Sequence, residues 1–173
     1  KGVAIDLEKA DRIKNDFEKS EKEVLDYLYK TCGFEVEILA PLSIAKAFDK
    51  LKIKYNKTPT GLPSFDKNFL ATHPHKFAKT IVKAREFNKA RTTFIDSILK
   101  HTHKGRIHAD INQLRSETGG TISGRMSMQN PNLQQIPARN AEIGPKIRQL
   151  FIPDEGEKWG CFDYSQQEPR LLV

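Results

Sequence analysis

The sequence predicts an α+β protein: a helical arm of two long antiparallel helices with a small tip, followed by the first strands of a mixed region. Three observations predict it. Apolar residues recur at helical spacing in two stretches, residues ~7–31 and Pro74 to about Lys100, with a turn-rich segment between them. After Gly105 the period changes from helical to alternating. No apolar run approaches the ~20 residues of a membrane span, and 38% hydrophobic against 29% charged residues suits a soluble chain with one real core.

The elements follow in order. "GVAIDL" is a short extended opening, and Asp6 is a helix N-cap candidate. Ile13, Phe17, Val24, Leu25 and Leu28 then form the apolar stripe of the first long helix, which Gly33 ends. Residues 34–73 read as a compact tip, with a short helix from Pro41 to Leu51, the turn-rich "KTPTGLPSFD", and a helical turn starting at Ser64. In the second long helix Ile81, Phe87, Ala90, Phe94 and Ile98 share a side. "GRIHADIN" alternates as one half-buried strand, with Ile107, Ala109 and Ile111 on one face and Arg106, His108 and Asp110 on the other. "SETGGTISGRMS" gives a Gly-Gly turn and a returning extended segment, "NPNLQQIPARN" is irregular, "GPKIRQLF" is a short helix with Pro at its start, and "KWGCFDYS" reads as another strand. The boundary between arm and mixed region falls at residues 104/105, giving units 1–104 and 105–173.

Charge narrows the partner. The 29 Lys and Arg exceed the 22 Asp and Glu by seven, a balance that favours a polyanion such as nucleic acid. Cys32 and Cys161 stand far apart and in no CxxC pair, so neither a disulfide framework nor a zinc ribbon is written here, and a reducing intracellular setting fits. The pairs His73/His75 and His101/His103 have H-x-H spacing without a third nearby ligand, which fits surface histidines better than a metal site. The first residue is Lys1 and the last three are Leu171, Leu172 and Val173, so both ends read as cut.

The chemistry is concentrated in the last ~50 residues, which carry "TISGRMSMQNPNLQQIP", then "IRQLFIPDEG", then "DYSQQEPR". This series closely resembles the family A (polymerase I-like) DNA polymerases, whose T-x-G-R, P-N-L-Q-x-I-P, I-R-x-x-F and D-Y-S-Q-x-E-x-R motifs lead into the catalytic strand of the palm. The resemblance covers the whole chain and implies that the arm, including "REFNKARTTFID", is the thumb and the remainder the first part of the palm. Gln167 and Pro169 depart from the commoner bacterial pattern, and the "QQEPR" version looks more like phage and viral members. That implies a bacterial or phage-infected host cytoplasm.

The resemblance also implies roles. Nucleotidyl transfer uses two divalent cations, Mg2+ in this family, which take hard oxygen donors. Asp163 would be the catalytic carboxylate and metal ligand, with the backbone carbonyl of Tyr164 beside it. Read without the motifs, Asp163 is more often a strand-ending or helix-capping carboxylate. Glu168 and Gln166 would select the nucleotide sugar, Glu168 by crowding the 2′ position. An unaccommodated hydroxyl there costs about 1–3 kcal/mol. Ser165 and Glu168 also form an S-x-x-E capping box, so a helix should begin just beyond the strand. Arg170 reads as an ion-pair partner.

For DNA, Arg125 from the T-x-G-R motif would reach the minor groove near the primer terminus, where acceptors common to all base pairs let one cation check shape. Asn132 and Gln134 would line the same duplex, or else bond their own backbone. Arg139 would face the incoming phosphates. Arg85, Lys89 and Thr92, with Asp96, fall near one helix face opposite Phe87, Phe94 and Ile98, and would touch phosphate oxygens without reading sequence. Lys57, Thr58, Thr60 and Ser64 at the tip are further candidates.

These implications give a DNA-directed DNA polymerase, present in part, whose partners are primer–template DNA, deoxynucleoside triphosphates and the remaining palm and fingers. The second aspartate and the fingers helix of the family lie downstream and do not fit into the ten residues after Asp163, so the 173-residue chain alone is expected to be inactive. Two other readings stay open: a non-catalytic DNA-binding module derived from a polymerase, or one half of a split polymerase. A single-subunit RNA polymerase is disfavoured by Glu168. An exonuclease is disfavoured because the sequence lacks clustered acidic residues.

Overall fold

The computed structural model describes residues 1–117, 119–138 and 140–171, and the side chain of Glu168 lies outside the described set. Strand β1 (Val3–Ile5) leads into helix α1 (Leu7–Cys32). The sequence signals at its ends act as expected. Asp6 Oδ1 accepts the Lys9 N–H at 2.9 Å, and Gly33, at φ 72°, donates its N–H to the Tyr29 carbonyl at 2.6 Å. The left-handed conformation at the C-terminal cap is what requires glycine there.

The tip comprises α2 (Pro41–Lys50), the hairpin of β2 (Asn56–Lys57) and β3 (Pro63–Ser64), and α3 (Lys67–Thr72). Its helix begins three residues after the expected Ser64. Ser64 is paired with Asn56 in the hairpin, and Asp66 provides the cap by accepting the Phe69 N–H at 2.9 Å. Phe48 is the centre of the tip, with ring centroids at 4.9 Å from Phe65, 5.9 Å from Phe77 and 6.1 Å from Tyr55.

The return helix is a continuous rod in three parts: α4 (Lys76–Lys89), a π-helical segment (Ala90–Ile95) and α5 (Asp96–Lys100). At the far side of the π segment the Asp96 N–H donates to Arg91 O, five residues back. The antiparallel packing of the arm is visible in its two cores. Leu28 and Cys32 pack with Phe77, Ala78 and Ile81 near the tip, whereas Ala10, Ile13 and Phe17 pack with Phe87, Ile95 and Ile98 at the base. Val24 touches both.

The base of the arm is sealed by an antiparallel sheet in the order β4 (Thr102–His103), β5 (Arg106–Ile107), β1, β8 (Phe151–Ile152), with Val3 opposite Ile107 and Ala4 opposite Ile152. Lys104 and Gly105, at φ 48° and 72°, form the two-residue turn between β4 and β5. The 104/105 boundary thus lies inside a hairpin, and the strand nearest the N-terminus is central in the sheet. Ile143, Ile147 and Leu150, from around α6 (Gly144–Arg148), complete the base core.

Two expected strands are not formed as such. "GRIHADIN" divides: β5 stops at Ile107, and β6 (Asp110–Asn112) pairs separately with β7 (Ser127–Gln129). The cause is the end of the ladder on β1. Gly2, at φ 72°, turns the chain away, and His108 packs so closely that a Cβ on Gly2 would lie 2.6 Å from its ring. Ile107 is buried as expected, but Ile111 is 54% exposed. "KWGCFDYS" is not a strand, and Phe162 within it is 96% exposed. Among the described residues no strand offers it a ladder of hydrogen bonds. A short helix, α7 (Gln167–Leu171), comes next, with Pro169 in its first turn. Its preceding residue is Gln166 at φ 54°, so Ser165 is not at the cap position.

Candidate nucleic-acid interface

The return helix supplies one wall of the site. Lys89 and Thr92 are exposed, the Thr92 hydroxyl donating to Asn88 O at 2.8 Å and the Lys89 ammonium lying 5.8 Å from the Phe94 ring centre. The expected four-residue stripe does not hold. Arg85 turns inward, donating Nε–H to Ile38 O at 2.7 Å and Nη1–H to Phe65 O at 2.9 Å, because these tip carbonyls lack a partner from regular structure. Burial pushes the Arg85 guanidinium below its ordinary pKa. Asp96 lies beyond the π segment and pairs with Lys14 of α1 at 2.7 Å. The extra residue per turn in the π segment rotates the residues beyond it by about 100° relative to a regular α-helix.

The loop from Thr121 to Ile136 supplies the other wall. Arg125 is exposed, and its carbonyl accepts the Thr121 hydroxyl at 2.6 Å. Both ends of the Gln134 amide bond backbone, Nε2–H donating to Met126 O at 3.1 Å and Oε1 accepting the Met128 N–H at 3.2 Å. Asn132 Oδ1 accepts the Gln134 N–H at 3.1 Å and starts a 3-10 turn (Leu133–Gln135). Its amide nitrogen has no partner among the described residues. A groove of about 220 Å³ runs between Thr93, Phe94 and Ser97 of the return helix and Asn132, Leu133 and Gln135 of this loop. The fold therefore brings Asn132 to one groove with Thr93, Phe94 and Ser97, which the sequence did not foretell, while Lys89, Thr92, Arg125 and Gln134 do not line it.

The remaining expected residues stand elsewhere. Asp163, Tyr164 and Gln166 are exposed on the segment before α7. Arg139 and the Glu168 side chain lie outside the described residues. Among the described residues no three His, Cys, Asp or Glu side chains cluster as a metal site would require. At the tip the Thr58 and Thr60 hydroxyls are 2.9 Å apart and Thr58 Oγ1 accepts the Leu62 N–H, so they shape the hairpin turn, with Lys57 exposed beside them. The H-x-H histidines serve the backbone: His73 Nδ1 accepts the His75 N–H, His75 Nδ1 accepts the Phe77 N–H at the start of α4, and His101 Nδ1 lies 2.8 Å from Ser97 O.

The segment carrying Asp163 is moored upstream at Asp154, which pairs with Lys1 at 2.6 Å and with Arg106. The hydrogen bond from Lys1, reinforced by the Arg106 charge, holds the Asp154 carboxyl below the usual carboxylate range. Sequence reasoning also missed Glu21, a buried carboxylate of α1 that accepts from Asn88 and Arg91 of the return helix. Its only signal was a charge within the apolar stripe.

The sequence model of DNA polymerase family A matches residues 7–173. A DNA-directed DNA polymerase of Pseudomonas phage M6 is 39% identical over 100% of the chain and 27% of its own length. The DNA polymerase DpoZ of Acinetobacter phage SH-Ab 15497 is 35% identical over 100% of the chain and 31% of its own length. DNA polymerase I of Geobacillus stearothermophilus is 35% identical over 99% of the chain and 20% of its own length. The chain thus spans less than a third of each of these relatives. Among solved structures, the POL domain of Pol1 from M. smegmatis, in complex with DNA primer-template and dNTP, matches with a TM-score of 0.74 and 30% identity, over 90% of this chain and 27% of that one. A motif series in family order, a family match along nearly the whole chain and a shared fold lead to one assignment: the chain belongs to DNA polymerase family A.

Proposed function

We propose that the protein carrying this chain is a DNA-directed DNA polymerase, with residues 1–104 as its thumb and 105–173 as the opening of its palm. The observation that carries the reading is the ordered motif series ending in Asp163, on a chain matched to the family over residues 7–173. Lys89 and Thr92 hold the phosphate backbone, the Thr92 hydroxyl exchanging Asn88 O for a phosphate oxygen when duplex binds. Arg125 reads pair shape from the minor groove, and the amide nitrogen of Asn132 points to the same duplex. Gln134, spent on Met126 and Met128, shapes the loop that presents them. Glu168 and Gln166 discriminate the sugar, and Arg139 faces the incoming phosphates. Primer–template DNA and deoxynucleoside triphosphates are the partners, with the rest of the palm and the fingers on the same chain or on a second one.

The expected cofactor is Mg2+. The Asp163 carboxylate and the Tyr164 carbonyl are the oxygen donors a hard cation takes, but two donors on an exposed segment do not make a six-coordinate site. Completion of the site falls to the second aspartate, which the family resemblance places downstream of the Asp163 motif. What this chain contributes is a thumb that holds duplex and one carboxylate at the end of its palm motif.

The test is Asp163→Asn in the intact polymerase. The substitution removes a charge and keeps the size, so primer extension in magnesium should be abolished while primer–template affinity stays within a few-fold. Extension near the wild-type rate would contradict the assignment.

A further inference from the structure

Glu21 is 7% exposed and is the buried charged residue of the described structure. It lies on α1 between Phe17, which belongs to the base core, and Leu28, which belongs to the tip core. Its two oxygens reach across the arm: Oε1 accepts Asn88 Nδ2–H at 2.8 Å, and Oε2 accepts Arg91 Nε–H at 3.1 Å. These partners straddle the point where α4 becomes the π segment, since Asn88 is in the last turn of α4 and Arg91 is the second residue of the π segment. Lys89 lies between them and Thr92 directly after, both exposed.

An apolar side chain at position 21 would fill this seam without the desolvation that a buried carboxylate and guanidinium incur. What an apolar residue could not do is fix the rotation of the return helix about its axis. A π turn is a poor intrinsic conformation, held where tertiary contacts specify it. Glu21 specifies this one from both sides of the junction, through Asn88 before it and Arg91 within it. We infer that Glu21 is a positioning residue that locks the α-to-π junction so that Lys89 and Thr92 face duplex phosphates together. This rests on the reading of that face as the DNA backbone contact.

The experiment measures primer–template affinity of the intact polymerase by fluorescence anisotropy across a salt series, with circular dichroism to confirm the folded fraction of each variant. Lys89→Gln should lower the log–log salt slope by about 0.9, the value of one phosphate contact. Glu21→Gln, which touches no DNA, should lower it by the same amount, and Lys89→Gln added to Glu21→Gln should change it no further. A role in stability alone would lower the melting temperature and leave the slope of the folded protein intact. Asn88→Ala removes one half of the clamp and carries the same test if Glu21→Gln does not fold. A reduced slope for Lys89→Gln beside an unchanged slope for Glu21→Gln and Asn88→Ala would overturn the role of Glu21 and leave the DNA face standing. An unchanged slope for Lys89→Gln would sink the DNA face, and the proposal with it.

Discussion

Arg85→Met separates two roles for one arginine. The methionine keeps most of the stem's packing and removes the guanidinium, whose Nε–H and Nη1–H tie Ile38 O and Phe65 O at 2.7 and 2.9 Å. Hydrogen bonds from a charged donor contribute about 1.5–3 kcal/mol each, so the gross loss is about 3–6 kcal/mol. Two effects reduce it. The site is half-buried, so water can reach the released carbonyls, and the variant no longer desolvates a charge. A net loss of about 2–3 kcal/mol remains, equivalent to roughly 4–12 °C in melting temperature for a unit of this size. Thermal denaturation followed by circular dichroism measures it. The salt slope of DNA binding should stay unchanged, because the group faces the tip and not the duplex. A melting temperature within about 1 °C of wild type, or a slope lowered by about 0.9, would refute the internal role and return Arg85 to the phosphate-binding face.

Two further outcomes are expected. Glu168→Ala in the intact enzyme should admit ribonucleotides at least ~10-fold better relative to deoxyribonucleotides, from the cost of an unaccommodated hydroxyl, and an unchanged ribo/deoxy ratio in single-nucleotide incorporation would leave Glu168 as a helix residue only. The Asp154 carboxyl titrates lower in the folded state, through Lys1 first and Arg106 second, so its contribution is present above the unfolded carboxylate pKa of about 3.9 and lost as pH falls through the lower folded value. The melting-temperature gap between wild type and Asp154→Asn should therefore close below about pH 4, and a gap that widens on acidification would reverse the sign.

Features encoded locally were legible in the sequence. Asp6 and Gly33 mark the ends of α1 because cap and helix are neighbours in the chain, and the motif series identifies the family because its order survives without the fold. Features that depend on distant partners were not. Arg85 reaches carbonyls 47 and 20 residues away, so helical spacing alone placed it on the wrong face. Glu21 bonds Asn88 and Arg91 at the α-to-π junction, 67 residues along the chain from Asn88, and the π segment breaks the phase between Lys89 and Asp96 that a regular helix would keep. "KWGCFDYS" has the composition of a strand, yet composition cannot supply the neighbouring strand that would hold it. The groove between Thr93 and Asn132 joins segments whose relation only the folded chain reveals.

The most direct test combines a primer–template titration at two salt concentrations with a primer-extension assay, both on the purified 173-residue chain in magnesium with all four deoxynucleotides. Binding should weaken as salt rises, through Lys89, Thr92 and the loop of Arg125 and Asn132, and no extension should occur, because the proposed two-metal site needs more than the one carboxylate that Asp163 would supply. Extension by this chain, or no binding at the lower salt concentration, would contradict the assignment of a DNA-holding thumb joined to an incomplete palm.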